Sequence, residues 1–438
     1  MKTVLKNRSR VVLYSGNLCF FLLMFVCCQT NAQTENSELP DLIPLLYDNG
    51  KWGFVDREGN ELTPCKYDEV SLPSDGFAEV ILDGKSGFVD KTGKEVIPCV
   101  YDYAGSFSEG VVDVYKDGKF GYIDKTGKEV ISFKYASSKK FTGGLACVRV
   151  GSWNEGYKWG CIDKSGNTVL PFVYNAIERI SDDLFAVLVD GKWGVLNNKG
   201  KEIVPCKYDY IGGFFEGLAH VKLDGKVGFI DKSGRQTIPC KYDNAYAFSE
   251  GLAAFGTGEL YSEKLGFIDK SGKEIVPCKY DKAYAFSEGL TCVGIISSSL
   301  MGENRWIFID KTGKRVYQCE YHWAYPYSEG LAAVCIRDGE LIKWGFIDKT
   351  GKEVIPCRYD EVGDFSGGLA MVCDDYKYGF IDMRGNEVIP CIYDYVSEFT
   401  SGLSKVSRNG QEFYIDKTGN EYTEVILLKN ILKKEFEE

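Results

Sequence analysis

The groups in this 438-residue sequence that could carry out chemistry are two histidines, 16 cysteines and 63 acidic side chains. A histidine beside a nucleophile would point to acyl transfer, and a singular pair of carboxylates to general acid–base work. Clustered Cys, His and Asp would point to a metal. His220 lies in LAHV, at a position that related stretches fill with Glu79, Asp113, Cys147, Cys292, Met371 or Lys405. Such variety marks a solvent-facing site, so His220 is expected at the surface. His322 stands where related stretches carry Asp68, Asp102 or Asp360, with Trp323, Tyr325 and Tyr327 close by. It would line a small aromatic site, or it is simply a local variation. There is no nucleophile elbow, HExxH, P-loop or dinucleotide fingerprint. The D-K-T-G-K turns lack the alternating oxygen ligands of a calcium loop. No catalytic residue, cofactor or metal is therefore expected, and the chain does not read as an enzyme.

Eight cysteines share one repeated position: Cys65, Cys99, Cys206, Cys240, Cys278, Cys319, Cys357 and Cys391. Phe133 and Phe172 fill the same position in two further copies. Exchange of Cys for Phe implies a buried apolar pocket rather than a ligand or an obligatory disulfide partner. No CxxC is present. Units stacked face to face at about 10 Å would hold equivalent thiols too far apart to bridge, so the thiols are expected to be unbridged. Edge-to-edge stacking would bring them nearer, and spacing alone does not settle connectivity.

The elements that must position these residues come from one motif written eleven times. The Asp that ends its F-I-D element, or its equivalent, falls at 56, 90, 124, 163, 197, 231, 269, 310, 348, 382 and 416. Six of the ten intervals are 34 residues, and the four longer ones carry insertions just before the Trp-Gly position. Asp-Gly between alternating apolar runs (Asp83-Gly84, Asp117-Gly118, Asp190-Gly191, Asp224-Gly225) is a two-residue hairpin signal. The next turn, D-K-[TS]-G, precedes K-E-V-I-P, whose proline removes a ladder donor and ends the strand. Each unit then reads as three short antiparallel strands and a connector. Recurrent Tyr67, Tyr101, Tyr135 and their equivalents, with the Phe107 and Phe141 row, read as core. The Trp-Gly position holds Trp52, Trp159, Trp193 and Trp344, with Trp306 before Ile307, and smaller residues such as Ser86 and Val227 elsewhere. Such tolerance implies a partly exposed site.

Residues 1–32 read as a secretory signal peptide. Lys2, Lys6, Arg8 and Arg10 precede the apolar run from Leu18 to Val26, and Thr30-Asn31-Ala32 offers a cleavage site after Ala32. An uncleaved anchor and lipidation at Cys27 or Cys28 are the alternatives. Cleavage takes the formal charge from −11 to −15 by removing four positive side chains. No basic block remains, which argues against nucleic acid or anionic membrane as partner, and no further segment is apolar enough to span a bilayer. Residues 33–46 form an N-terminal cap, residues 47–422 the repeats, and residues 423–438 a helical cap with Val425, Leu428, Ile431 and Leu432 at near-helical spacing.

KWGFVD (Lys51 to Asp56), KWGCID (Lys158 to Asp163), KWGVLN (Lys192 to Asn197) and KWGFID (Lys343 to Asp348) resemble the WG (KWG) repeat family of bacteria. The resemblance spans about Tyr47 to Tyr422. It implies β-rich tandem repeats, often in exported proteins, with a binding or scaffolding role, no common activity and no catalytic residues to carry over. The expected fold is all-β: about eleven three-stranded antiparallel units in an open superhelical array, with a closed propeller-like ring as alternative and a short C-terminal helix. An open array is favoured because eleven units exceed the four to eight blades of ordinary propellers. The expected role is an exported, non-catalytic scaffold that binds an envelope or extracellular protein, in the periplasm or at the cell surface. The alternative is a glycan- or cell-wall-binding array. The candidate surface comprises Trp52, Trp159, Trp193, Trp306, Trp344, His322 and Trp323, together with the four insertions, which should cluster on one side.

Overall fold

Alternation of apolar residues with primed-turn pairs every few positions builds antiparallel meanders, and the computed structural model shows eleven of them. It describes residues 39–47, 49–154, 156–258, 263–296, 305–318, 321–339 and 341–423. The expected leader and C-terminal helix lie outside the described residues.

Ten sheets have four strands in sequential order and the first has three. One blade, as example, consists of Glu361–Val362, Leu369–Asp374, Lys377–Asp382 and Glu387–Tyr393. The expected three-stranded unit is thus corrected to four. The connector itself supplies a two-residue strand, with Glu361 opposite Cys373 and Val362 opposite Val372. Its continuation, Ser-Glu-Gly, is a second two-residue hairpin turn. Glu250 and Gly251 both have positive φ (51° and 88°), like Asp83 and Gly84 (52° and 70°) at the Asp-Gly hairpins.

Successive strand residues point to opposite faces, and both faces of a blade are buried. Phe346 packs with Ala370, Val372 and Ile381 of the following blade. Its neighbour Ile347 packs with Trp306 and Phe308 of the preceding one. The blades therefore stack face to face, and the G-F-I-D element serves two cores at once.

The stack closes on itself. Leu42, Ile43, Leu45, Trp52 and Phe54 share a core with Leu403 and Tyr414 of the last blade. Leu46 forms a parallel bridge to Thr423. The closed, propeller-like ring holds and the open array does not. The segment expected to cap the first unit supplies its first strand, Ile43–Leu46. Closure outweighs the unusual blade number because an open array would leave the outer faces of the first and last sheets in water.

Candidate functional site

The Trp-Gly pair has a steric origin. In nine blades two residues of the third strand lie opposite four of the fourth; Trp344 pairs with Tyr359 and Phe346 with Ile355, for example. The extra residues bulge over the intervening glycine. A Cβ on Gly345 would lie 2.3 Å from the Ile355 carbonyl oxygen and 2.7 Å from the Cys357 nitrogen. Gly87, Gly228, Gly266 and Gly379 are confined in the same way. The blade with Ile307 there lacks the shift at this position: Ile307 pairs with Gln318 and Phe308 with Tyr317 in plain register, and the one remaining shift falls between Phe308 and Ile309. The glycine answers the bulge.

The expected surface row of tryptophans is divided. Trp306 is fully buried and Trp52 is 8% exposed. Trp159, Trp193 and Trp344 are half-buried, each packed on the core between its blade and the next. Trp323 packs beside Trp306 at 4.9 Å between ring centroids, and Tyr325 stacks on Trp344 at 5.3 Å. The aromatic cluster foreseen around His322 exists, but the His322 ring is engaged in holding a hairpin. Its Nδ1 accepts the backbone N–H of Arg337 at 3.0 Å. In other blades an Asp carboxylate takes this place, as where Asp360 accepts from Asp375 N–H at 2.9 Å and Asp394 from Asn409 N–H at 2.7 Å.

His220 is a correction, since it is not at the surface. It lies opposite Phe229 in the ladder, against Tyr210 and close over Gly212, and its buried Nδ1 has no hydrogen-bond partner. Burial holds its imidazole below the ordinary value, which favours the neutral form. His220 as a whole is half-buried, whereas Asp113, at the equivalent position, is buried and accepts a bond from Ser138 Oγ at 2.8 Å. The position varies because it looks into the seam between blades, whose local width decides what fits.

The repeated acidic side chains hold the frame together. The Lys before the Trp-Gly position pairs with the Asp seventeen residues on in seven blades: Lys51–Asp68, Lys85–Asp102, Lys192–Asp209, Lys226–Asp243, Lys264–Asp281, Lys343–Asp360 and Lys377–Asp394. The Glu of the Ser-Glu-Gly turn reaches the next blade. Glu250 accepts from Gly289 N–H at 2.9 Å and pairs with Lys311, and Glu288 accepts from Gly330 N–H and pairs with Lys349. The Ser before it donates to the next blade's backbone, as Ser249 does to the Phe286 carbonyl at 2.8 Å. The Asp of the D-K-[TS]-G turn accepts two backbone N–H groups and a Thr or Ser hydroxyl; Asp348 accepts from Thr350 and Lys352. Asn197 does the same for Lys199 and Lys201 without a charge.

Six of the repeated thiols, Cys99, Cys206, Cys240, Cys278, Cys357 and Cys391, are half-buried and point at second-strand carbonyls of their own blade, as Cys99 does at Val80 and Cys357 at Val334, both 3.6 Å. Burial raises Cys99 and Cys391 to about 11. One pair departs from the no-disulfide expectation. Cys147 and Cys161 are bridged. They are direct cross-strand partners within one blade, so stacking between units never limited them. Cys161 replaces the usual Phe of the F-I-D element, the one sign the sequence offered. Among the described residues no group of three or more His, Cys, Asp or Glu is arranged to hold a metal ion.

The three most exposed large apolar side chains lie at the hairpins between second and third strands, whereas Tyr103, Val173, Tyr210 and Tyr395, about half exposed, lie along the blade edges. Trp153 is 88% exposed, Tyr376 86% and Leu341 67%, with Tyr157, Ile295, Ile296, Ile336 and Ile342 also exposed. The insertions expected to cluster fall at this one hairpin position, between the strands Leu145–Ser152 and Gly156–Asp163, Leu252–Thr257 and Lys264–Asp269, Leu290–Ile295 and Arg305–Asp310, and Leu331–Asp338 and Leu341–Asp348. Tyr376 was not foreseen. Its signal was Asp375-Tyr376 standing where other copies have Asp-Gly, with φ of 49° and 60°.

Fold and surface together define a ring of repeated antiparallel blades, propeller-like, with an apolar set of hairpin tips. The chain belongs to the WG-repeat family: the family described as "WG containing repeat" matches residues 52–85, 87–120, 120–152, 159–193, 193–226, 228–261, 266–295, 306–339, 344–378 and 378–411. No curated protein matches the chain. Among solved structures, a eukaryotic initiation factor is similar at 12% identity and a TM-score of 0.42, covering 77% of this chain and 92% of that one. The β-propeller domain of the Trilobed protease from Pyrococcus furiosus, described as having an open velcro topology, is similar at 12% and 0.29, covering 66% and 97%. The tricorn protease is similar at 10% and 0.23, covering 84% of this chain and 54% of that one, so the chain spans about half of its length. These likenesses say nothing about activity or partner.

Proposed function

We propose that this protein is a non-catalytic scaffold that binds another protein through the hairpin tips of its ring. The observation that carries this reading is the apolar exposure of Ile295 and Ile296, Ile336, Leu341 and Ile342, and Tyr376 on three consecutive blades. Exposed apolar patches on a folded surface mark interaction sites, whereas the repeated carboxylates are engaged within the ring. The glycan alternative asks for free tryptophan faces, and of the Trp-Gly row two are buried and three are wedged between blades. The leader-like composition of residues 1–32 supports an exported scaffold, in the periplasm or at the cell surface.

The test is cross-linking capture of a partner from envelope extract, repeated with Ile336→Thr, Leu341→Ser, Ile342→Thr and Tyr376→Ser combined. Specific capture should be lost in this variant while its circular dichroism is unchanged. Capture that is equal in both proteins, or saturable binding to a glycan panel that Trp159→Ala and Trp344→Ala abolish, would refute the reading.

A further inference from the structure

Two carboxylates stand outside the frame that engages the others. Asp364 follows the first strand of the tenth blade, Glu361–Val362, and Glu398 follows that of the eleventh, Tyr395–Val396. Both are exposed, and among the described residues neither forms an ion pair or a hydrogen bond. The ring itself asks for no acid there, since equivalent positions hold Leu72, Ser106, Lys140, Ala247 and Pro326. One residue earlier in the same connector, the eighth and ninth blades carry Tyr284 and Tyr325. Their rings meet at 5.9 Å with planes 62° apart, and Tyr325, 37% exposed, stacks on Trp344 at 5.3 Å.

Packing joins these groups across four consecutive blades. The Tyr284–Tyr325 contact links the eighth blade to the ninth. Phe365, next to Asp364, packs on Phe346 of the ninth blade at 4.9 Å, and its carbonyl accepts from Ser328 Oγ at 2.8 Å. Phe399, next to Glu398, packs on Phe380 of the tenth blade at 4.8 Å. Burial first, then Cys335 and the Asp364 charge, raise the Tyr325 hydroxyl above its ordinary value. Although solvent reaches Asp364, the surrounding protein and then the Glu398 charge raise its carboxyl as well. Tyr325, Asp364 and Glu398 thus act on one another in sequence, and an aromatic corner stands beside two negative charges without a counterion.

We infer that these connectors form a cation-binding site that takes an extended, arginine-rich segment of a protein partner, one guanidinium against Tyr325 beside Asp364 and the next on Glu398. The inference rests on the scaffold reading and adds the chemistry of one partner segment. An aromatic face attracts a guanidinium through its quadrupole, and a carboxylate meets the same group with two parallel hydrogen bonds. The formal charge of −11 draws a cationic segment in before contact. A flat sugar ring fits less well, because Trp344 covers one face of Tyr325 and Tyr284 stands across it at a steep angle.

The test uses the full chain and a fluorescein-labelled peptide of alternating arginine and glycine, read by anisotropy. An analogue with citrulline for arginine keeps the shape without the charge, and chitohexaose supplies the sugar. The arginine peptide should bind saturably and weaken as salt rises. Asp364→Asn with Glu398→Gln removes both charges at constant size, and these side chains have no partner to lose. Melting should be unchanged while binding weakens by about fivefold or more. Asp117→Asn with Glu178→Gln removes the same charge from the third and fifth blades and should leave binding as it was. Tyr325→Leu should weaken binding about two- to fivefold. Absence of binding, equal binding of the citrulline peptide, equal affinity in the two double variants, or binding of chitohexaose in preference to the peptide would each overturn the inference. If the apolar-tip variant loses partner capture and the Asp364→Asn, Glu398→Gln variant retains it in full, the scaffold reading stands and the arginine-segment inference alone fails.

Discussion

Gly345→Ala should be among the most damaging single-methyl additions this protein can receive. The new Cβ would sit 2.3 Å from the Ile355 oxygen, 2.7 Å from the Cys357 nitrogen and 2.7 Å from the Pro356 carbonyl carbon. All three are backbone atoms, so no side-chain rotation relieves the clash. The fourth strand must move away by roughly 1 Å to regain ordinary contact. Overpacking of this kind costs roughly 1–3 kcal/mol. Weakening one or two ladder hydrogen bonds adds about 1 kcal/mol each, for a total of about 3–4 kcal/mol. Unfolding entropy of about 2.1 cal/mol/K per residue over roughly 380 ring residues gives about 0.8 kcal/mol/K, so the melting temperature should fall by about 4–5 °C. Scanning calorimetry at neutral pH measures it. The control is Gly213→Ala, where the nearest atom is the Phe215 ring at 3.4 Å and φ is not positive. It should be neutral or stabilising by a few tenths of a kcal/mol. Equal melting temperatures for the two variants would refute the account of the Trp-Gly motif.

Stability should depend on acid through the turn aspartates. Hydrogen bonds from Thr350 and Lys352 hold Asp348 below the ordinary carboxylate value, and Asp124, Asp310 and Asp382 are depressed for the same reason. A depressed folded value gives stability that is present above the unfolded pKa of about 3.9 and is lost as pH falls through the folded value. The melting temperature should therefore be flat from neutral pH to about 5 and fall steeply below about 4, less steeply in Asp310→Asn with Asp348→Asn, which copies Asn197; a flat profile down to pH 3 would contradict this. Leu45→Ala, at the closure and 1% exposed, should cost about 2–5 kcal/mol and speed proteolysis near Leu46 and Thr423, and undiminished protease resistance would argue against closure there. Reducing Cys147–Cys161 opens a loop with a sequence separation of 14 residues and should lower stability by up to about 3 kcal/mol, measured by urea titration with and without reductant. Cys99 and Cys391, raised by burial, should resist maleimide labelling until the ring unfolds, as mass spectrometry would show.

Much of the ring was legible because repetition compares a position with itself. Equivalent positions in eleven copies separated core from turn: the Tyr and Phe rows are core, and Asp-Gly marks the hairpins. Two-residue strands such as Glu361–Val362 escaped because a pattern of period two needs more than two residues to show. The same comparison misread His220, since variety within a seam between blades looks like variety in water. At Trp-Gly the glycine is set by a bulge that only the fourth strand reveals.

The sequence by itself determined the repeat, the strand-forming alternation and the turn chemistry, because these are local: a few neighbouring residues decide φ, ψ and which face is apolar. Only the tertiary structure decided that the array closes and which carboxylates are engaged between blades. Those outcomes join residues far apart in the chain, such as Leu46 with Thr423 and Glu288 with Gly330, and depend on how each blade's two faces meet its neighbours.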